Sequence, residues 1–339
     1  MAYRKAVRVV VWAGLVISVL MLASGCAGLF PQADEQAMLV AEGRLDPMAK
    51  RATWRVPTDF ATIQEAIESD VVVDGDRVLV EEGFHAGAYV SKAVEIRGVG
   101  NAVISSGPMH SSGLLMGFRM LAGSDGASIS HLTFQVDLAI MNGAAVDGVT
   151  VSHCTFYNAI QAVSNWCGSD WEITHNLIED LRTRNGGGIG VLIGDYAGGC
   201  VTGNTISYNT VRGVLVVDPN DGGGYNGSGI VLFADFRWGM AGALEISGNR
   251  VTHNSISLIS DTPDVVNVVA FELTDSRDDP EADPYPVLFD NAIGFNDFRG
   301  TEIQIALTPV ELEECNDISR NLGDNRGHGA HPSVFGPAE

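Results

Sequence analysis

Acid/base chemistry on a sugar acid needs a carboxylate and a cation close enough to share one substrate. One stretch supplies both: Glu179-Asp180-Leu-Arg182-Thr-Arg184-Asn185 runs into three glycines, and Asp195-Tyr196 follows a short apolar segment later. In a lyase, Arg182 or Arg184 would neutralise a uronate carboxylate while Asp180, or Asp195 from the opposite bank, would take the C5 proton. The plainer reading of the same residues is a charged, solvated loop closed by glycines. His131, His153 and His175 recur 22 residues apart. Neutral imidazole is a common transition-metal ligand, yet three imidazoles in a row also stack without a metal, and Gly203 and Gly248 interrupt the series. No Cys-x-x-Cys or mixed Cys/His metal spacing occurs, so no metal site is assigned. The acidic runs Asp218-Pro-Asn-Asp221 and Asp275 to Asp283 offer oxygens of the kind Ca²⁺ takes. They lack the ordered spacing of a calcium loop and read as solvated bends; Ca²⁺ is the one cofactor they would admit.

What must position these residues is a repeat. Ile129-Ser-His-Leu-Thr-Phe134, Val151-Ser-His-Cys-Thr-Phe156, Ile173-Thr-His-Asn-Leu-Ile178 and Val201-Thr-Gly-Asn-Thr-Ile206 are four copies of one phrase, starting 22, 22 and 28 residues apart. Weaker copies begin at Ile246, Leu288 and Glu313, after intervals of 45, 42 and 25 residues, as double turns or as single turns carrying long loops. Such a period marks stacked repeats. Short β-branched runs alternate as strands do, and Asn tolerates the left-handed backbone of a tight bend. The expected fold is all-β: a single-stranded parallel β-helix of about 22-residue coils with a short N-terminal capping helix, its bends lined by a ladder of Asn176, Asn204, Asn249, Asn291 and Asn316; its right hand is what a family resemblance given below implies. A leucine-rich repeat has a similar period but wants a Leu-dominated consensus and a helical return, and neither is present. Third strands are expected at Gly188–Ile193, Gly213–Val217, Gly229–Phe233, Val268–Phe271 and Ile303–Leu307, with Ala139, Gln161, Gly190, Leu215, Val231 and Gln304 pointing outward. That outward face is small and apolar, without a carboxylate.

At the N-terminus, Arg4, Lys5 and Arg8 precede an apolar run, Val9 to Ala23, that is short for a membrane span. It ends in Leu22-Ala-Ser-Gly-Cys26, which resembles the bacterial lipobox, although Ala23 stands where Leu is more usual. The resemblance implies lipid attachment at Cys26, and Ala27 in place of Asp implies delivery to the outer membrane or cell surface. The expected organisation is signal peptide 1–25, tether 26–52, β-helix 53–325 and C-terminal tail 326–339. Losing the signal removes three positive charges from a chain of net charge −22, leaving about −25. Phosphates would be repelled, so nucleic acid is not an expected partner. The expected partners are the membrane through its lipid anchor and a polysaccharide, with the protein a monomer. An exported chain can form disulfides, and Cys167 and Cys200, in bends before consecutive copies of the phrase, are candidates for one.

Val56-Pro-Thr-Asp-Phe-Ala-Thr-Ile-Gln-Glu-Ala-Ile67 followed by Gly75-Asp-Arg-Val-Leu-Val80 and Gly83-Phe84 resembles the entry of the pectin lyase-like right-handed β-helix superfamily, with Phe84 in place of the usual Tyr. With the Asn-containing coils, the resemblance covers about residues 54–321. It implies fold and handedness strongly and activity weakly, because the superfamily holds lyases, hydrolases, esterases, epimerases and adhesins. Gly327-His328-Gly329 resembles a short motif of its pectin-type hydrolases, but it lies past the last good coil and lacks the accompanying aspartate pairs. The resulting expectation is an exported, lipid-anchored β-helix that binds polysaccharide along its flank and could cleave or modify it. A non-catalytic structural or adhesin-like surface protein is the alternative.

Overall fold

The computed structural model describes residues 51–237, 244–277, 287–327 and 331–336. The signal segment, Cys26, nearly all of the expected tether, most of the second acidic run and His328-Gly329 lie outside the described residues. The chain winds as a right-handed parallel β-helix. Among the described residues its strands form parallel sheets of ten, nine and seven members and a smaller one of three.

The ten-stranded sheet shows how each lap is set. Val78, Ile96, Ile129, Val151, Ile173, Ile206, Val251, Ile293 and Ile318 stand in register one above the next. All but the last are buried in one continuous core. Coils are therefore as short as the step from Val78 to Ile96 and as long as that from Ile206 to Val251, and the long ones are single laps carrying loops. Ile173 rests on Ile206, not on Val201. The fourth copy of the phrase is thus displaced by one bend from the first three, because bends at both ends of this short strand carry Asn.

That displacement splits the expected ladder in two. In one bend, Asn204 donates both its backbone N–H and its Nδ2 to Asn249 Oδ1 (3.0 and 2.9 Å), Asn249 does the same to Asn291 (3.0 and 2.9 Å), and Asn291 to Asn316 (3.1 and 2.9 Å). Asn176 belongs to the other bend, where the same pattern links Asn176, Asn209, Asn254, Asn296 and Asn321. Asn204-x-Ile206-x-x-Asn209, and its counterparts at 249–254, 291–296 and 316–321, are each one strand with a ladder at each end. Each Oδ1 satisfies two donors that a bend would otherwise bury unpaired.

Immediately before the second ladder runs a column of residues with left-handed backbone: His131, His153, His175, Tyr208, His253, Phe295 and Arg320, with φ between 55° and 60°. Their side chains stack rung on rung. Ring centroids lie 5.1, 5.2, 5.0, 4.9 and 5.3 Å apart, and the Arg320 guanidinium caps Phe295 at 5.3 Å. The histidines therefore stack, and the series continues through Tyr208 and Phe295. Gly203 and Gly248 do not interrupt it; they hold the equivalent left-handed positions of the first bend beside Asp170 and Asp290.

At the N-terminal end, the helix Ile63–Glu68 buries Ile63, Ala66 and Ile67 over the core, and its N-cap Thr62 accepts from Glu65 N. Asp76 ties the first coil together, accepting from Ala52 N, Val73 N and Trp54 Nε1 at 2.9 to 3.1 Å. Burial raises its pKa, but the Trp54 bond and the two backbone donors outweigh that and hold it below the ordinary range. Strands at Gly188–Ile193, Gly229–Phe233, Val268–Phe271 and Ile303–Leu307 fall in the nine-stranded sheet as expected, whereas Gly213–Val217 falls in the seven-stranded one. At the other end, Arg326–Gly327 still pairs with Ile305–Ala306, so coil pairing reaches just into the expected tail.

Replacing Asn249 by Ala strands two buried donors of Asn204, at about 1–3 kcal/mol each. Urea unfolding is expected to show a loss of roughly 2–5 kcal/mol, against about 0.5 kcal/mol or less for Asn101→Ala at an exposed position. The ring column also gives a pH dependence. Desolvation, then the Arg97 charge and His153, hold the His131 pKa below the ordinary histidine value. Its contribution is therefore complete above the unfolded pKa and lost as pH falls through the folded one. Between pH 7 and pH 5 the melting temperature of His131→Asn, which keeps a residue suited to positive φ, is expected to fall less, or rise more, than that of the parent.

Candidate functional site

The outer face of the nine-stranded sheet carries a second apolar cluster, separate from the core. It includes Met116, Leu138, Met141, Ile189, Leu192, Val231, Trp166 and Phe233, all buried. Gln161 and Val231 face outward as expected, but Ala139 and Leu215 belong to the interior core. A Cβ at Gly190 would meet Gly229 O at 2.4 Å and the Val211 side chain, so that position is closed as well. Covering part of this face is the chain's own segment 331–336, whose Val334 and Phe335 pack against the cluster.

The proposed lyase residues do not converge. Arg182 is bound to the Asp137 carboxylate and donates Nε to Asn158 O at 3.0 Å. Asp180, at φ 55°, uses Oδ1 to accept from Val214 N at 2.7 Å, and so braces the bend. Arg184 lies exposed in the turn. Asp195 stands at the far end of the strand Ile189–Asp195, about 20 Å away at the usual rise per residue. Nor is the Cys167–Cys200 bridge formed. Cys167 is a free thiol, turned onto the outer face, where its Sγ donates to Asp195 Oδ1 at 3.2 Å. Burial and then the Asp195 charge push its pKa up to about 12, so it stays protonated and is no nucleophile.

Asp195 is distinctive for a different reason. Three successive strands of this sheet end in related tripeptides, Asp195-Tyr-Ala197, Asp235-Phe-Arg237 and Asp275-Ser-Arg277. In each, the carboxylate accepts from the N–H two residues on, at 2.9, 3.1 and 3.0 Å. Asp235 and Asp275 are then paired by the arginine of their own tripeptide, at 2.8 and 2.6 Å. Ala197 supplies no such group, and the buried Asp195 Oδ2 has no partner. One rung away, buried Trp166 also has an unpartnered Nε1. Around these two lie aromatic rings: Tyr196 at 5.6 Å from Trp166, Phe233 at 6.5 Å, and Arg237 over the Phe233 ring at 5.1 Å. One end of the face thus gathers a buried acceptor, a buried donor, the buried rings of Trp166 and Phe233 under half-buried Tyr196, and an arginine already paired with Asp235.

A carboxylate unforeseen from the sequence lies farther along the same face. Glu272 follows Phe271, where the expected strand ended, and shares a column with Val231. It is fully buried, accepting from Ser228 Oγ at 2.6 Å and Thr274 Oγ1 at 3.0 Å. Burial outweighs these bonds and raises its pKa to about 7. The available signal is the polar pair Glu272 and Thr274, two residues apart around buried Leu273 on one strand.

The acidic loop Asp218–Asp221 is turned on itself. Asp218 Oδ1 accepts from Asn220 N at 2.8 Å, and Asp221 Oδ2 accepts from Asn185 N at 2.9 Å and from the Tyr225 hydroxyl. Those carboxylates brace the loop, and among the described residues no group of three His, Cys, Asp or Glu side chains is placed to hold a metal ion.

Because the Glu272 pKa is raised in the folded state, its contribution is complete below the unfolded value near 4.5 and lost as pH rises through about 7. Glu272→Gln is expected to be more stable than the parent at pH 8.5, with the relative effect changing by up to about 3 kcal/mol between pH 5 and pH 8.5 in denaturant titrations.

No protein-family model and no curated protein matches the chain. Among solved structures, the catalytic domain of a GH87 alpha-1,3-glucanase in complex with tetrasaccharides matches with a TM-score of 0.32 and 12% identity, over 87% of this chain and 70% of that one. A similarity that distant carries nothing about the chemistry of this chain.

Proposed function

We propose that the protein is an exported, lipid-anchored β-helix that binds polysaccharide along the outer face of its nine-stranded sheet, with cleavage or modification as a further capacity of the same face. The observation that carries this reading is the pair of unpartnered buried atoms, Asp195 Oδ2 and Trp166 Nε1, set among Tyr196, Phe233 and Arg237. A sugar hydroxyl both donates and accepts, so it suits a carboxylate oxygen and an indole N–H together, while aromatic rings suit the apolar faces of pyranoses. In the free protein a water molecule can take that place, and a hydroxyl can displace it. Anchoring through Cys26 would hold this face outside the cell.

A non-catalytic structural or adhesin-like role is the second reading. The engagement of Asp180 and Arg182 in bonds that brace the coils favours it.

Calorimetric titration against a panel of neutral and acidic oligosaccharides, with and without Ca²⁺, tests the first reading. Asp195→Asn removes one unpartnered group while keeping the shape, and Trp166→Phe removes the other while leaving a smaller ring in a buried site. Each is expected to weaken binding by roughly tenfold, with thermal stability unchanged or higher in Asp195→Asn and lowered by the cavity in Trp166→Phe. Equal affinity in both variants would remove the site. Appearance of unsaturated uronate product in the same incubations would establish lyase activity, and release of Cys26→Ser protein from membranes would establish the anchor.

A further inference from the structure

Segment 331–336 runs down the helix axis against the direction of winding, crossing one lap after another. Asn226 N donates to His331 O at 3.3 Å, and Gly187 N donates to Ser333 O at 2.6 Å. The Gln161 side chain holds Phe335 from both sides, Oε1 accepting from its N–H at 2.5 Å and Nε2 donating to its carbonyl at 3.4 Å. His110 Nε2 meets Gly336 O at 3.0 Å, and the Phe335 ring lies edge-on to His110 at 6.3 Å. Four laps, at about 4.8 Å each, take up about 19 Å, close to the reach of six extended residues.

This is how a linear ligand would lie on the face. The groups that hold the segment are two backbone N–H groups, one amide side chain and one imidazole; all four recognise hydroxyls and carbonyls alike. Among the described residues, Arg326–Gly327 is the last strand that anchors the chain before the segment. Opening the segment breaks those hydrogen bonds and the contacts of Val334 and Phe335, groups that a bound glycan or water can satisfy in turn.

We infer that segment 331–336 is an autoinhibitory strap, occupying a ligand track along the Gln161, Gly187 and Asn226 edge of the outer face, at the opposite end of the strands from Asp195 and Trp166, and leaving when an extended glycan chain binds along that edge. This rests on the polysaccharide reading only for the identity of the displacing ligand. The occupancy itself is a property of the segment.

The test uses the full chain and a chain ending at Ala330, with two probes: the free hexapeptide corresponding to residues 331–336 and the oligosaccharide panel. The shortened chain is expected to bind the peptide saturably while the full chain does not, and to bind the responding oligosaccharide roughly tenfold more tightly, as removal of a competing closed state requires. Peptide binding without any oligosaccharide binding would sustain the strap and sink the polysaccharide reading. No peptide binding by a folded shortened chain would overturn the strap, whatever the sugars do. Should shortening prevent folding, Phe335→Asp in the full chain serves instead. Hydrogen exchange at Gly187 and Asn226 is then expected to accelerate while the strand amides stay protected, and unchanged exchange at those two positions would overturn the strap.

Discussion

One hydrogen-bonding unit makes the rest of the molecule possible: an asparagine Oδ1 that accepts the backbone N–H and the side-chain N–H of the asparagine one lap earlier. A sharp bend in a wound chain points its amide inward, where water cannot reach it. Here that amide is satisfied by the next lap, so each coil depends on its neighbour and none is stable alone. Both ends of the short strand of the ten-stranded sheet use the device, which fixes the strand at three residues and keeps its central Ile or Val on the axis through coils of very different length. Loops of any size can therefore leave and return without disturbing register.

The outer face follows from that regularity. Because laps stack in register, strand ends stack too: Asp195 stands opposite Ala234 and Ala234 opposite Asp275, and the tripeptide at 235 begins one residue further on. Within a row, one substitution has a readable effect. Alanine at 197, where arginine stands at 237 and 277, leaves a single buried carboxylate oxygen free. The same stacking turns scattered rings into a column along the second bend and places Glu272 deep under the face. His131 and Glu272 pull stability in opposite directions with pH, the first losing its contribution in acid and the second in alkali.

Much of this is legible in the sequence and some is not, for physical reasons. A repeated phrase reports a repeated backbone conformation, so the coiled fold and the Asn bends can be read from Asn204, Asn249 and Asn291, and the hand comes from the family resemblance of the entry at 56–84. The phrase does not report which of two similar bends a copy occupies. Spacing alone therefore puts Asn176 in the wrong ladder and makes Gly203 and Gly248 look like breaks in the imidazole series. The site is harder still. Asp195 can be picked out as a carboxylate at a strand end, but its lack of a partner depends on Ala197 and on the rung-to-rung comparison with Arg237 and Arg277. Arg182 looks free along the chain, since Asp137, its partner, is two laps away and invisible to local spacing. The Cys167 thiol faces outward to Asp195, a direction that spacing along the chain does not encode.

If the asparagine relay is what holds the laps together, the bend amides of Asn204, Asn209, Asn249 and Asn254 are as deeply protected as strand amides. Native-state hydrogen exchange measures this directly. The expected result is exchange at all four positions as slow as at Ile206 and Val251 in the strands between them, through global unfolding alone. Exchange at the rate of an exposed loop, with the flanking strand amides still protected, would contradict the account.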